Sequence, residues 1–129
     1  MTNVVAGIII DGSRVLLARK AANKSRPGKW EFPGGKIEND ESAESALERE
    51  LFEELNILTQ TGDHFFTTEF AYQDFDIRLI SYYSKYISGS IHLSDHDKIS
   101  WVEIQNLLSY DLAEADVEIA RELIKKTAN

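Results

Sequence analysis

The longest apolar run in the chain, Val4 to Ile10, is interrupted only by Gly7, and a second run, Val15 to Ala18, follows the turn dipeptide Asp11-Gly12. Two such runs around a turn predict an antiparallel hairpin. A polar loop then spans Ala21 to Lys29. His64 to Tyr72 and Phe75 to Tyr83 are rich in aromatic and β-branched residues, and Phe75, Ile77 and Leu79 alternate with Asp76 and Arg78, which predicts two strands. Ile99 to Val102 predicts another. Helical periodicity covers about Ser42 to Leu55, with Asp40 or Ser42 as the cap, and about Ala113 to Lys126, where Ala115, Ile119, Ala120, Leu123 and Ile124 form an apolar stripe. Helices and strands intermix without a regular βαβ repeat. The expected class is therefore α+β, a mixed sheet with helices packed against it.

With 129 residues, 43% of them hydrophobic, the chain has material for one ordinary core. No low-complexity linker or fixed-period repeat divides it, so a single domain over 1–129 is expected. No apolar run approaches the ~20 residues that cross a bilayer, and the first residues, MTNVVAG, lack the basic flank and cleavage site of a secretory signal. With no cysteine to form a disulfide, a cytoplasmic location is the expectation. A net charge of −8 works against binding a long nucleic acid through a broad basic face.

Acid is concentrated in one segment, GGKIENDESAESALERELFEELNI from Gly34 to Ile57, where glycines precede an acidic helix. At about 100° per residue Leu47, Leu51 and Leu55 mark the buried stripe, and Glu50, Glu53 and Glu54 fall on or beside it. Carboxylates crowded at the edge of a core repel one another and lose solvation, which favours protonation unless a cation neutralises them. Oxygen-only ligands suit magnesium or manganese, whereas zinc calls for cysteine or spaced histidines. His64, His92 and His96 show no zinc pattern. From charge alone, a solvated acidic face with Arg49 in local ion pairs is the simpler account, since charge runs usually face water.

The ordered spacing adds more: Gly35, five residues, Glu41, seven residues, then Arg49-Glu50-Leu51-Phe52-Glu53-Glu54 resembles the Nudix box. Asn56 departs from the glycine usual there, but asparagine tolerates the left-handed conformation that ends a helix. VVAGIII, LLARKAA, KWEFPGGKIE, Trp101 after an acidic loop, and LAEAD extend the resemblance over almost the whole chain, which looks most similar to MutT-like nucleoside triphosphate pyrophosphohydrolases. The resemblance implies the Nudix fold, a mixed sheet between helices, and Mg2+-dependent cleavage by attack at the β-phosphorus, with Mn2+ as a substitute.

By the same resemblance Gly34 (through its carbonyl), Glu50, Glu53, Glu54 and Asp95 are the metal ligands, with Asp95 alternatively a plain loop residue. The catalytic set is Glu50, Glu53 and Arg49, with Glu50 or Glu53 as general base; Arg49 and Glu41 also brace the helix against the loop. The substrate positions are Lys20, Glu31, Phe32, Pro33, Gly34, Tyr72, Phe75, Ile77 and Asp116. Aromatic rings there can stack on a base. Phe32, Phe75 and Ile77 serve equally as core residues, and Asp116 as a helix cap. Lys20 stands where many relatives have arginine, which replaces a bidentate contact by a point charge. Lys24, Arg26 and Lys29 are either triphosphate contacts or a solvated loop. The implied partner is a nucleotide, with no membrane and a monomer or small homo-oligomer. An oxidised purine triphosphate such as 8-oxo-dGTP leads, ahead of a cytidine-type triphosphate and of a non-catalytic nucleotide-binding module.

Overall fold

The computed structural model describes residues 1–24 and 26–128. Its strands are β1 (Thr2–Asp11), β2 (Arg14–Lys20), β3 (Trp30–Glu31), β4 (Gly34–Lys36), β5 (Leu58–Ala71), β6 (Asp76–Ser88) and β7 (His96–Glu103), and its helices are α1 (Ala43–Leu55) and α2 (Val117–Thr127). The strands join in the order β3-β2-β1-β6-β5, with β4 added to β1 and β7 to β2. Strand β1 runs parallel to β6 and antiparallel to β2 and β4, so the sheet is mixed, as expected.

The apolar centre of β1, Val5 to Ile9 around Gly7, follows from burial on both faces. Val5 and Ile9 pack with Leu47, Leu51 and Leu55 of α1, whereas Ala6 and Ile8 share a second core with Ile119, Ala120 and Leu123 of α2. The sheet is thus held between the two helices. Among the described residues no helix is long and apolar enough to cross a membrane.

The Asp11-Gly12 hairpin forms as expected, with Asp11 opposite Arg14. Strands β5, β6 and β7 run further than the apolar pattern indicates. The added residues of β5, Leu58 to Asp63, are mostly polar and pair with β6 through a register broken by three irregularities, so backbone pairing rather than side-chain burial carries the extension. The short β3 and β4 around Phe32-Pro33 have no periodicity to announce them. Ser42, rather than Asp40, caps α1 by accepting the Ser45 N–H at 3.1 Å. The last helix starts later than the expected Ala113, because Glu114–Asp116 forms a 3-10 turn before α2.

Asn56 ends α1 in the left-handed region, φ 61°, with its N–H on the Phe52 carbonyl, and its side-chain amide donates to the Ser90 carbonyl at 3.3 Å. A Cβ-bearing residue without a polar side chain is strained at this φ. Asn56→Ala is therefore expected to lower stability by about 1–2 kcal/mol, and Asn56→Gly by less than half of that, as read by chemical unfolding.

Candidate active site

A cleft of about 400 Å³ opens between the β1–β4 edge, α1 and the start of α2. Glu50 and Glu54 of α1 enter it from one side, and Asp116, Tyr72 and Phe75 line it with Lys20 and Glu31 between. Its geometry depends on two close backbone approaches. A Cβ on Gly34 would overlap the Val5 carbonyl, and one on Gly35 would overlap the Glu50 carboxyl group. Glycine at both positions lets β4 lie against β1 while Glu50 folds over it.

The helix that buries Leu47, Leu51 and Leu55 turns Glu54 inward, leaving it 7% exposed, with Oε2 buried and unpartnered among the described residues. Burial first, then the neighbouring Glu31 and Glu50 charges, push its carboxyl up to about 8. Burial also raises Glu50, against the opposing Arg49 guanidinium. Glu53 lies further out, its side chain 57% exposed. Arg49 ties the group together: Nη1 donates to Glu50 at 3.1 Å and to Glu53 at 2.9 Å, Nε donates to Glu41 at 2.6 Å, and Nη2 donates to the Lys36 carbonyl at 3.1 Å. The Arg49 bond holds Glu41 below its ordinary range.

Among the described residues no three acidic or imidazole side chains already converge closely enough to enclose an ion. The donor set nevertheless fits a hard divalent cation: a buried carboxyl with an unpaired oxygen, a second carboxyl folded onto glycine backbone, and oxygen donors throughout. Asp95 lies in the loop before β7, where Lys24 Nζ meets it at 3.1 Å. It is near enough for its charge to raise Glu54, but it does not line the cleft.

At the opposite end Asp116 is 5% exposed and its Oδ2 accepts the Phe32 N–H at 2.9 Å. It makes no helix-capping bond. Burial, with the Glu31 charge next, raises its carboxyl well above the ordinary range, favouring a protonated group that can donate as well as accept. Tyr72 Oη accepts the Ala115 N–H at 3.1 Å, and the Tyr72 and Phe75 rings lie 5.5 Å apart. Phe32 and Ile77 are buried in the core while still lining the cleft, whereas Phe75 is 39% exposed and belongs to the cleft more than the core.

The cleft therefore gathers Lys20, Glu31, Phe32, Gly34, Glu50, Glu54, Tyr72, Phe75, Ile77 and Asp116, and leaves Pro33, Arg49, Glu53 and Asp95 outside its lining. The Pro33 carbonyl accepts the Gly7 N–H at 2.8 Å, tying the β3–β4 turn to β1. Of the loop cations, Lys24 and Lys29 are paired, Lys29 with Asp111 at 2.8 Å, while Arg26 lies 3.6 Å from the Tyr72 ring centroid. Charge alone did not reveal that stacking. Nor did any sequence signal mark His96, which sits behind Glu31 because β7 pairs with β2.

A sequence model described as NUDIX domain matches residues 1–126. The chain is 35% identical over 119 residues to a CTP pyrophosphohydrolase of Escherichia coli (strain K12), covering 92% of this chain and 88% of that one. It is 30% identical over 121 residues to an 8-oxo-dGTP diphosphatase of the same strain, covering 93% and 94%. Among solved structures, a MutT protein from Methanosarcina mazei Go1 superposes with a TM-score of 0.89 at 26% identity, covering 99% of this chain and 96% of that one.

Glu54 makes the metal-free stability pH-dependent. Its ionised form is disfavoured in the folded chain but free to form in the unfolded one near the ordinary value of 4.5, so its contribution is largest below 4.5 and is lost as pH rises toward about 8. Thermal unfolding in chelator should show Glu54→Gln more stable than wild type at pH 8, by on the order of a few kcal/mol, with the difference shrinking toward pH 5. Equal pH slopes for the two proteins would contradict this.

Proposed function

The chain belongs to the NUDIX domain family, and from that membership we propose that it is a pyrophosphohydrolase converting a nucleoside or deoxynucleoside triphosphate to the monophosphate and pyrophosphate. The observation that carries the reading is one cleft joining an unpaired buried acid, Glu54, to an aromatic end lined by Tyr72, Phe75 and Asp116. The acidic end suits a hard cation and its phosphate ligands, and the aromatic end suits a nucleobase.

In this reading Glu50, Glu53, Glu54 and the Gly34 carbonyl hold the divalent ion, Mg2+ with Mn2+ as a substitute, while Asp95 joins them only by giving up its Lys24 partner. When bound, the ion offsets phosphate charge and lowers the pKa of water. Glu50 or Glu53, both bonded to Arg49, is the proposed general base. Arg49 acts by orienting them. Lys20 lines the cleft beside Glu31, where it offsets the Glu31 charge and meets phosphate as a point charge.

An oxidised purine triphosphate such as 8-oxo-dGTP is the leading substrate, and the relative named a CTP pyrophosphohydrolase specifically supports a cytidine-type alternative. A protonated Asp116 can donate to a base oxygen or ring nitrogen, and an ionised one accepts from an amino or ring N–H, so Asp116 serves either base. A panel of 8-oxo-dGTP, dGTP, CTP, dCTP and dATP, assayed for monophosphate and pyrophosphate with Mg2+, decides between them. Absence of product from every nucleotide favours a non-catalytic nucleotide-binding module.

Glu54→Gln should remove nearly all turnover while the protein stays folded, because the amide keeps the shape but not the neutralising charge. Turnover near wild type at saturating Mg2+ would contradict that role. Glu53→Gln should also be severely impaired, with metal titration separating lost binding from lost base chemistry.

Asp116 gives the specificity prediction. Asp116→Ala leaves the buried Phe32 N–H unpaired, at a stability cost of about 1–3 kcal/mol, whereas Asp116→Asn keeps an acceptor for it. Both variants should change kcat/KM ratios among the five nucleotides by about tenfold, since a lost base contact costs a comparable free energy. Unchanged ratios in Asp116→Asn would confine Asp116 to a structural role.

A further inference from the structure

His96 opens β7 opposite Lys20, at the one register irregularity between β2 and β7. Its ring is fully enclosed, and Nε2 lies 2.8 Å from Glu31 Oε2. Nδ1 is also buried and has no partner among the described residues. A buried N–H without an acceptor costs more than a buried lone pair with a second-rate environment, so the unpartnered nitrogen is the lone pair and Nε2–H is the donor. The bond therefore runs from the His96 Nε2–H to Glu31 Oε2. Lys20 Nζ stands 3.8 Å from the same Glu31 oxygen. Two groups thus hold Oε2, while Oε1 accepts no hydrogen bond among the described residues.

Glu31 lies between the two ends of the cleft, and its charge is the second-largest influence on both Glu54 and Asp116. Resting on the nucleotide reading above, we propose that His96 is a positioning residue for base recognition: it anchors Oε2 of Glu31 and leaves Oε1 as a fixed acceptor for an amino or ring N–H of the base. His96 itself is shut off from the cleft by Glu31. Without the imidazole, Glu31 is held by Lys20 alone, through a long flexible contact that does not fix the carboxylate plane. The Ala21 N–H on the Asp95 carbonyl, 3.1 Å, ties the polypeptide next to His96 to the end of β2, so the anchor sits on a braced backbone.

The test is metal-free calorimetric binding of dGMP, dCMP and dAMP to wild type, His96→Leu, His96→Gln, Glu31→Ala and the Glu31→Ala/His96→Leu double variant. The expected result is that His96→Leu lowers the ratio of the best to the worst affinity by about tenfold. His96→Gln, whose side-chain amide reaches Glu31 as a donor, should restore most of the ratio. In the Glu31→Ala background His96→Leu should have no further effect, because residues acting through one contact are not additive. An unchanged ratio in His96→Leu, an additive loss in the double variant, or equal binding of the three monophosphates by wild type overturns the proposal. Should His96→Leu fail to fold, His96→Asn, whose shorter amide falls short of Glu31, provides the same comparison, and an unchanged ratio there also overturns it. Failure of wild type to cleave any triphosphate would defeat the enzymatic reading while leaving these affinity ratios readable.

Discussion

Seating of α1 on β1 is the contact from which the rest of the cleft follows. Leu47, Leu51 and Leu55 pack with Val5 and Ile9, and that rotation of the helix carries Glu54 inward with them and Glu50 to the rim. The same strand holds β4 close enough that only glycine fits at Gly34, and Gly35 beside it leaves room for the Glu50 carboxyl group. A helix turned by one residue would send Glu54 to solvent, and a side chain at Gly35 would displace Glu50. Apolar packing therefore does the work of gathering like charges that would otherwise separate.

The gathered charges are managed unevenly. Arg49 satisfies Glu41, Glu50 and Glu53 in one fan of hydrogen bonds, which suits its forked guanidinium better than a lysine's point charge. Glu54 and Asp116 have no such partner, and desolvation dominates both. Glu31 lies between them and raises each, with Lys20 the cation that partly compensates. The cleft is thus prepared for cationic charge at one end and for hydrogen-bonding groups at the other, a polarity that matches a metal-bound polyphosphate carrying a base.

Periodicity made the helices and the hairpin legible because burial of one face or stripe leaves a repeating mark in the chain. It failed at β3 and β4, which are too short to show a period, and at the polar half of β5, where backbone pairing acts without burial. The apolar stripe from Ala115 to Ile124 marks a final helix from about Ala113, while the bond from Phe32 to Asp116 accompanies a tighter 3-10 turn over Glu114–Asp116. Asp116 had two readings, as a cap and as a base contact, and its side chain makes no cap bond.

Local composition determined that this chain has an acidic helix after a glycine-rich turn, and the order of those residues determined its family. Those properties depend on neighbours along the chain, so they can be read from it directly. Tertiary structure decided which acids are buried: Glu54 loses its solvent, Glu53 keeps it, and Asp95 faces Lys24 rather than the cleft. It also decided that Arg26 stacks on Tyr72 and that His96 stands behind Glu31, since segments far apart in the chain meet at these pairs. Desolvation and cross-strand register depend on what packs from elsewhere, and no local pattern of residue types encodes them.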